Sequence, residues 1–124
     1  GFSIPISTVT TGTQNTALGF KAGQNNQIGN RNLFLGYNSG INETGDDNLY
    51  ISNSTTSTPL IKGKFDSAGG NLGSVRIYGD LQLTTKTPAT AAATGTVGTI
   101  TYDNDYIYIC IATDTWKRVA ISTW

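Results

Sequence analysis

Apolar and polar residues alternate with a period of two in three short runs in the first half of the chain. Leu18 and Phe20 lie on one face of the first run, Leu33, Leu35 and Tyr37 on the matching face of the second, and Leu49 and Ile51 on that of the third. This alternation predicts strands with one buried face, because successive side chains of a strand point to opposite sides. The other face carries Ala17 and Gly19, Phe34 and Gly36, and Tyr50 and Ser52, which is two aromatics and little bulk, so the leucine face is expected to be the inner one. Between the runs, Gln24–Arg31 and Ile41–Asp47 are rich in Asn, Gly and Asp and read as turns.

The runs are copies of one another. Asn15-Thr16-Ala17-Leu18-Gly19-Phe20-Lys21-Ala22-Gly23 returns seventeen positions later as Asn32-Leu33-Phe34-Leu35-Gly36-Tyr37-Asn38-Ser39-Gly40. A third copy, Asn48-Leu49-Tyr50-Ile51-Ser52-Asn53-Ser54-Thr55-Thr56, starts sixteen positions after that. A repeat this short holds one or two short strands and cannot bury its apolar face alone, so the copies must stack. Three copies are marginal for a free-standing monomer, and identical chains are expected to pool their leucine faces around a shared axis. The recurrent Asn and Gly are expected to serve turns and tight corners. Glu43, Asp46 and Asp47, in the second connector, are a candidate ion site, although they lack the regular alternation of a calcium loop.

Beyond the repeats the pattern predicts short strands at Pro59–Phe65, Ser74–Tyr78 and Leu81–Leu83, a turn at Ser67–Asn71, and Val75, Ile77 and Leu81 as core. Thr84–Thr96, with Lys86, Pro88 and the run Ala91-Ala92-Ala93, has no apolar period. It reads as a linker between a shaft, residues 1–83, and a C-terminal lobe, residues 97–124. The lobe predicts three antiparallel strands, Val97–Tyr102, Tyr106–Thr113 and Trp116–Ser122, with turns at Asp103–Asp105 and Asp114–Thr115. Ile107, Ile109 and Ile111 are its expected core face. Tyr106, Tyr108 and Cys110 form an opposite face that needs cover from a second sheet, another chain or a ligand, since a sheet this small is not stable unaided.

Composition narrows the function. Charged residues make up 13% of the 124 residues, Lys+Arg 8 balance Asp+Glu 8, and there is no His and one Cys. Zero net charge without a basic stripe argues against a nucleic-acid partner, and the lack of an apolar run of spanning length argues against membrane insertion. Without His the commonest general base is missing, and one Cys permits neither an internal disulfide nor a thiolate zinc cluster, so no cofactor is expected. Cys110 reads as a small buried apolar residue, with no His to activate it. Glu43 is the only glutamate and strong helix formers are scarce, which makes the class all-β. The start Gly1-Phe2-Ser3 has neither an initiating Met nor a signal-peptide pattern and reads as the beginning of a fragment.

The repeat Asn-Thr-Ala-Leu-Gly-Phe-Lys-Ala-Gly and its second copy Asn-Leu-Phe-Leu-Gly-Tyr-Asn-Ser-Gly resemble the shaft repeats of bacteriophage tail fibres. They are more loosely similar to the Asn-x-x-x-Ile-Gly repeats of trimeric autotransporter adhesin heads. The closing stretch Gly98-Thr99-Ile100-Thr101-Tyr102-Asp103, with Asp105-Tyr106-Ile107-Tyr108-Ile109-Cys110 and Thr115-Trp116-Lys117-Arg118-Val119-Ala120, looks like a small C-terminal module of phage structural proteins. The resemblance implies an intertwined homotrimeric β-fibre with a β-solenoid-like shaft and a small three-stranded antiparallel C-terminal lobe. It further implies an extracellular place on the virion surface, contact with other virion tail proteins, and attachment to a host-cell surface glycan or protein. The sequence departs from many such fibres in lacking a self-cleaving C-terminal chaperone domain, and from some tips in lacking a His-x-His iron-binding motif.

On that resemblance the trimer core is Leu18, Phe20, Leu33, Leu35, Tyr37, Leu49, Ile51, Ile107, Ile109 and Ile111. With the lobe as distal tip, receptor contact is expected from its turns and outer face, at Tyr102, Asp103, Asn104, Asp105, Tyr106, Asp114 and Trp124. Aromatic rings supply amphipathic contact area for sugar faces, whereas Tyr108, Trp116 and Val119 are assigned to packing. The expected protein is structural and attaching, not enzymatic, because its acids lie almost all in predicted turns and form no spaced carboxylate pair. A purely structural spacer or trimerising plug, or a bacterial trimeric adhesin, is the alternative.

Overall fold

A computed structural model describes residues 11–66 and 73–124, so the expected turn at Ser67–Asn71 lies outside the described residues. The fold is all-β, with no helix among the described residues. The chain divides into two compact units, Gly1–Asp80 and Leu81–Trp124. The first holds one five-stranded sheet in the order β1 (Thr16–Leu18), β2 (Leu33–Leu35), β3 (Asn48–Ile51), β4 (Ile61–Lys64) and β5 (Ser74–Ile77). The β1–β2 and β2–β3 pairs are parallel, and β3–β4 and β4–β5 are antiparallel. The second unit is an antiparallel sheet of β6 (Ile100–Tyr102), β7 (Tyr106–Ala112) and β8 (Thr115–Ala120). No strand forms at 81–83, where Leu81 and Leu83 are exposed.

The parallel register reproduces the sequence repeat. Thr16, Leu33 and Leu49 are stacked partners, as are Ala17, Phe34 and Tyr50. At the head of each strand the repeated asparagine builds a ladder. Asn32 donates its backbone N–H and its Nδ2 to Asn15 Oδ1, at 2.9 and 3.1 Å. Asn48 repeats both bonds to Asn32 Oδ1, at 2.7 and 3.0 Å. Asn32 and Asn48 are buried, so these side chains do more than serve turns. Immediately before them Gln14, Arg31 and Asp47 all adopt left-handed backbone, with φ of 61°, 56° and 60°. Arg31 grips Asp47 of the next copy with a bidentate pair at 2.6 and 3.0 Å.

The face buried within the chain is the opposite of the one expected. Phe34 and Tyr50 are 1% and 4% exposed, whereas Leu18, Phe20 and Tyr37 are half exposed and Leu33, Leu35, Leu49 and Ile51 are partly covered. The turns fold back over the Phe34 side. Its ring lies between Gly23 and Gly40, both at left-handed φ, and a Cβ on either would collide with it. The glycines make the room that the aromatic fills, which a count of side-chain bulk along the strands does not register. Phe34 then meets Tyr50 edge-on at 5.9 Å, and on the other face Phe20 stacks on Tyr37 at 5.8 Å. Val75 and Ile77 on the edge strand β5, and Leu81 beyond it, all expected as core, are exposed.

The lobe is inverted in the same way. Ile107, Ile109 and Ile111 are exposed, while Tyr108, Cys110 and Trp116 are buried together. Residues 84–96, read from the sequence as a linker, supply the cover. Trp116 donates its backbone N–H to Ala91 O at 2.8 Å and its Nε1 to Ala93 O at 2.9 Å. Gly95 donates its N–H to Asp114 Oδ1 at 2.8 Å and sits so close to the indole that a Cβ would overlap it. Small residues at 91–95 let the backbone lie flat on the ring, which is why the stretch shows no apolar period.

The ladder sets a testable stability difference. Asn32→Ala takes the shared acceptor from the Asn48 N–H and Nδ2 and the side-chain donor from Gly45 O, while Asn15 Oδ1 keeps the backbone N–H of residue 32, and each buried unsatisfied group costs about 1–3 kcal/mol. Urea unfolding is expected to show a loss of about 3 kcal/mol or more. Asn25→Ala, which removes only the exposed Asn25–Asn42 bond, is expected to cost under about 0.5 kcal/mol.

Candidate functional site

A polar cleft forms in the first unit where the third copy departs from the repeat. The position that is Ala17 and Phe34 in the earlier copies is Tyr50, whose hydroxyl donates to Glu43 Oε2 at 2.9 Å. Gly45 N–H donates to the other oxygen, Oε1, at 3.0 Å. Lys62 on β4 stands directly opposite Tyr50 on β3, which places both side chains on one face of the sheet. The ammonium lies 4.9 Å from the centre of the Tyr50 ring. The cleft has a volume of about 350 Å³ and is also lined by Asn42, Thr55, Thr56 and Ser57.

The electrostatics follow from this packing. Partial burial pushes the Glu43 carboxyl up, but the Gly45 N–H, the Tyr50 hydroxyl and the charges of Lys62 and Lys64 outweigh it, so its pKa lies below the ordinary value. Tyr50 is raised, first by burial and then by Glu43, against the opposing pull of Lys62. Lys62 is raised by the neighbouring Tyr50 hydroxyl in spite of partial burial. At neutral pH the cleft therefore holds a carboxylate, a phenol that donates, and an ammonium. It can accept from and donate to a hydroxylated ligand, and the phenol is a poor base.

The candidate ion site does not assemble. Glu43 faces Tyr50, Asp46 accepts from Asn30 at 2.7 Å, and Asp47 is held by Arg31. Among the described residues no group of three His, Cys, Asp or Glu side chains is placed to hold a metal ion.

In the second unit the β6–β7 turn brings Tyr102, Asp103, Asn104, Asp105 and Tyr106 together. Tyr102 and Tyr106 sit on opposite faces, since Tyr102 pairs with Ile107 across the sheet. Asp103 organises the turn. Its Oδ1 accepts the N–H groups of Asp105 and Tyr106 at 2.9 and 2.8 Å, and its Oδ2 accepts the hydroxyls of Tyr108 and Thr87 at 2.5 and 3.0 Å. Asn104 and Asp105 are left exposed at the tip, where they line a shallow recess with Thr85, Lys86 and Thr87. Arg118 stacks on the Tyr106 ring at 4.0 Å. Asp114 lies at the far end of β7, in the turn to β8, with φ of 53°. Trp124 is fully exposed. A second cleft of about 270 Å³ lies between Pro88–Ala91 and Tyr108, Trp116, Lys117 and Arg118, and the polar ends of its aromatics are already bonded within the chain.

Sequence reasoning missed Tyr50 and Lys62, and weighed Glu43 only as an ion ligand and as an acid without a spaced carboxylate partner. The available signal was the hydroxyl-bearing aromatic at a repeat position that is otherwise Ala or Phe, close to the single glutamate. The pairing of β3 with β4 that brings Lys62 over the ring has no such trace.

No protein-family model matches the chain, and no solved structure matches it. Two bacteriophage proteins do match locally. The chain is 50% identical over 44 residues to a capsule K30/K69-specific depolymerase of Klebsiella phage K64-1, covering 36% of this chain and 6% of that protein. It is 44% identical over 41 residues to depolymerase 1, also capsule K30/K69-specific, of Klebsiella phage K5-2, covering 33% of this chain and 5% of that protein. These relatives are named for an enzymatic activity, and they overturn the expectation of a non-enzymatic attachment protein. The missing carboxylate pair on which that expectation rested bears on two-acid hydrolysis alone, and glycoside-cleaving enzymes have other routes.

The Asp103 hub predicts a pH effect. Its carboxyl is held down to about 2, first by the Tyr108 hydroxyl and then by the Asp105 N–H. A depressed carboxyl stabilises the fold above its unfolded value near 4 and loses that contribution as pH falls toward 2. Trp116 fluorescence is expected to report a loosening of the lobe between about pH 4 and pH 2. Asp103→Asn is expected to remove that acid-dependent step, and its persistence in the variant would assign the step to another group.

Proposed function

We propose that this chain is a module of a bacteriophage tail protein that engages the capsular polysaccharide of a bacterial host and serves its depolymerisation. The local similarity to two phage depolymerases of one capsule specificity carries this reading. The hydroxyl-rich cleft around Glu43, Tyr50 and Lys62 supports it, because hydroxyl, amide and charged groups around an aromatic wall suit a sugar ring. The hairpin tip with Tyr102, Asn104, Asp105 and Tyr106, shaped by Asp103, is a second contact surface, with Asp114 and Trp124 as outlying contacts. The position at the virion surface belongs to the same proposal.

The module works as a homotrimer on this reading. Parallel sheets are ordinarily covered on both faces, yet Leu18, Phe20 and Tyr37 stand half exposed beside Leu33, Leu35, Leu49 and Ile51. Ile107, Ile109 and Ile111 leave a similar open face on the lobe. Second and third copies of the chain would cover both.

Two measurements test these statements. Light scattering at micromolar concentration is expected to give three times 13.1 kDa, with Leu35→Asp reducing the mass to that of one chain, since an unpaired charge would enter the shared core. A parent chain that scatters as a monomer would refute the trimer. The chain is also expected to be retained by capsulated host cells and not by the same cells stripped of capsule. Equal retention would refute the capsule reading.

A further inference from the structure

We infer that Lys62 and Arg76, beside the Glu43–Tyr50 cleft, form a subsite for an acidic sugar, whose carboxylate meets the two cations while its hydroxyls meet Glu43 and Tyr50. The inference rests on the capsule reading and adds the charge of the sugar and the residues that select it. Lys62 stands directly opposite Tyr50 on one side and directly opposite Arg76 on the other. Side chains at opposed positions share a face, so Tyr50, Lys62 and Arg76 form a row across three neighbouring strands.

That row has a cost the chain offsets only at its Lys62 end, where the ammonium lies 4.9 Å from the centre of the Tyr50 ring. Like charges directly opposite one another destabilise a sheet, and among the described residues neither Lys62 nor Arg76 forms an ion pair. Glu43 cannot neutralise both cations, and its two oxygens already accept from Gly45 and Tyr50. The site keeps a surplus of positive charge, with Lys62 lining the cleft and Arg76 opposite it on the next strand. A ligand that relieves it brings an anion and hydroxyl groups on one small frame, which describes a sugar ring bearing a carboxylate. A neutral sugar would use the same hydroxyl contacts and leave the cation pair unrelieved. The cleft volume of about 350 Å³ lies at the small end of ligand pockets, as suits a single ring.

The test uses the whole chain and two probes, a glucuronate-containing oligosaccharide and the same oligosaccharide with its carboxyl reduced to the alcohol. Titration followed by amide shifts is expected to show the acidic form binding about tenfold tighter, the difference of one charge-assisted contact. The largest shifts are expected near Tyr50, Lys62 and Arg76. Lys62→Gln and Arg76→Gln are each expected to abolish the preference while leaving the shifts of residues 81–124 unchanged. Equal affinity for the two forms, or a preference that survives both substitutions, would overturn the subsite. Binding of purified host capsular polysaccharide with all shifts in residues 81–124 would overturn the subsite and leave the capsule reading standing. No binding of the polysaccharide or of either probe would overturn both.

Discussion

The side-chain oxygens of Asn15 and Asn32 each accept two hydrogen bonds from the asparagine of the following copy, and the rest of the first unit depends on that bond pair. Parallel strands cannot be joined by a tight hairpin and need long returns, so short strands of three or four residues have few main-chain bonds with which to find their register. The amide ladder supplies what they lack. It occupies the N–H groups of Asn32 and Asn48, at the heads of β2 and β3, and ties each to one residue of the preceding copy. A slip of one residue would exchange the two faces of the sheet and would also break every rung.

From this register the remaining contacts follow. Glycines at 23 and 40 come to lie on either side of the Phe34 ring, and Phe20 comes to lie on Tyr37. The cleft appears where the pattern stops. Thr55, Thr56 and Ser57 occupy the stretch that closes the earlier copies with Ala22 and Gly23 or Ser39 and Gly40, and β3 pairs with an antiparallel strand in place of a fourth parallel copy. A hydroxyl replaces a hydrogen on the buried ring, and a lysine is laid across it. The chemistry of the unit is concentrated at the end of its repeat, where regular packing no longer consumes the polar groups.

The two units manage their small size alike. Each buries an aromatic face under turns or a flat small-residue segment, with Phe34 and Tyr50 in one and Tyr108 and Trp116 in the other, and each leaves its aliphatic face open. Aromatic rings with polar tips suit the covered side, because their hydroxyls and indole N–H find partners in the covering segments, Glu43, Asp103 and Ala93. Branched aliphatic residues need no polar partner, and in the proposed trimer they would meet the apolar face of another copy.

The sequence by itself determined the all-β class, the repeats at 15, 32 and 48, and the strands β1 to β8 to within a few residues, because period-two alternation and turn residues are local signals that one chain displays in full. It also showed Cys110 as a buried apolar residue and the Asp103–Asp105 segment as a turn. Which face each sheet buries was decided by tertiary structure. Alternation shows that two faces differ, but the choice between them depends on what folds back over them, here Gly23, Gly40 and residues 84–96. The same holds for the candidate site. Glu43, Tyr50, Lys62 and Arg76 are unremarkable apart, and only the antiparallel register of β3, β4 and β5 aligns the last three as neighbours, since contact across a sheet is set by pairing that no local pattern encodes.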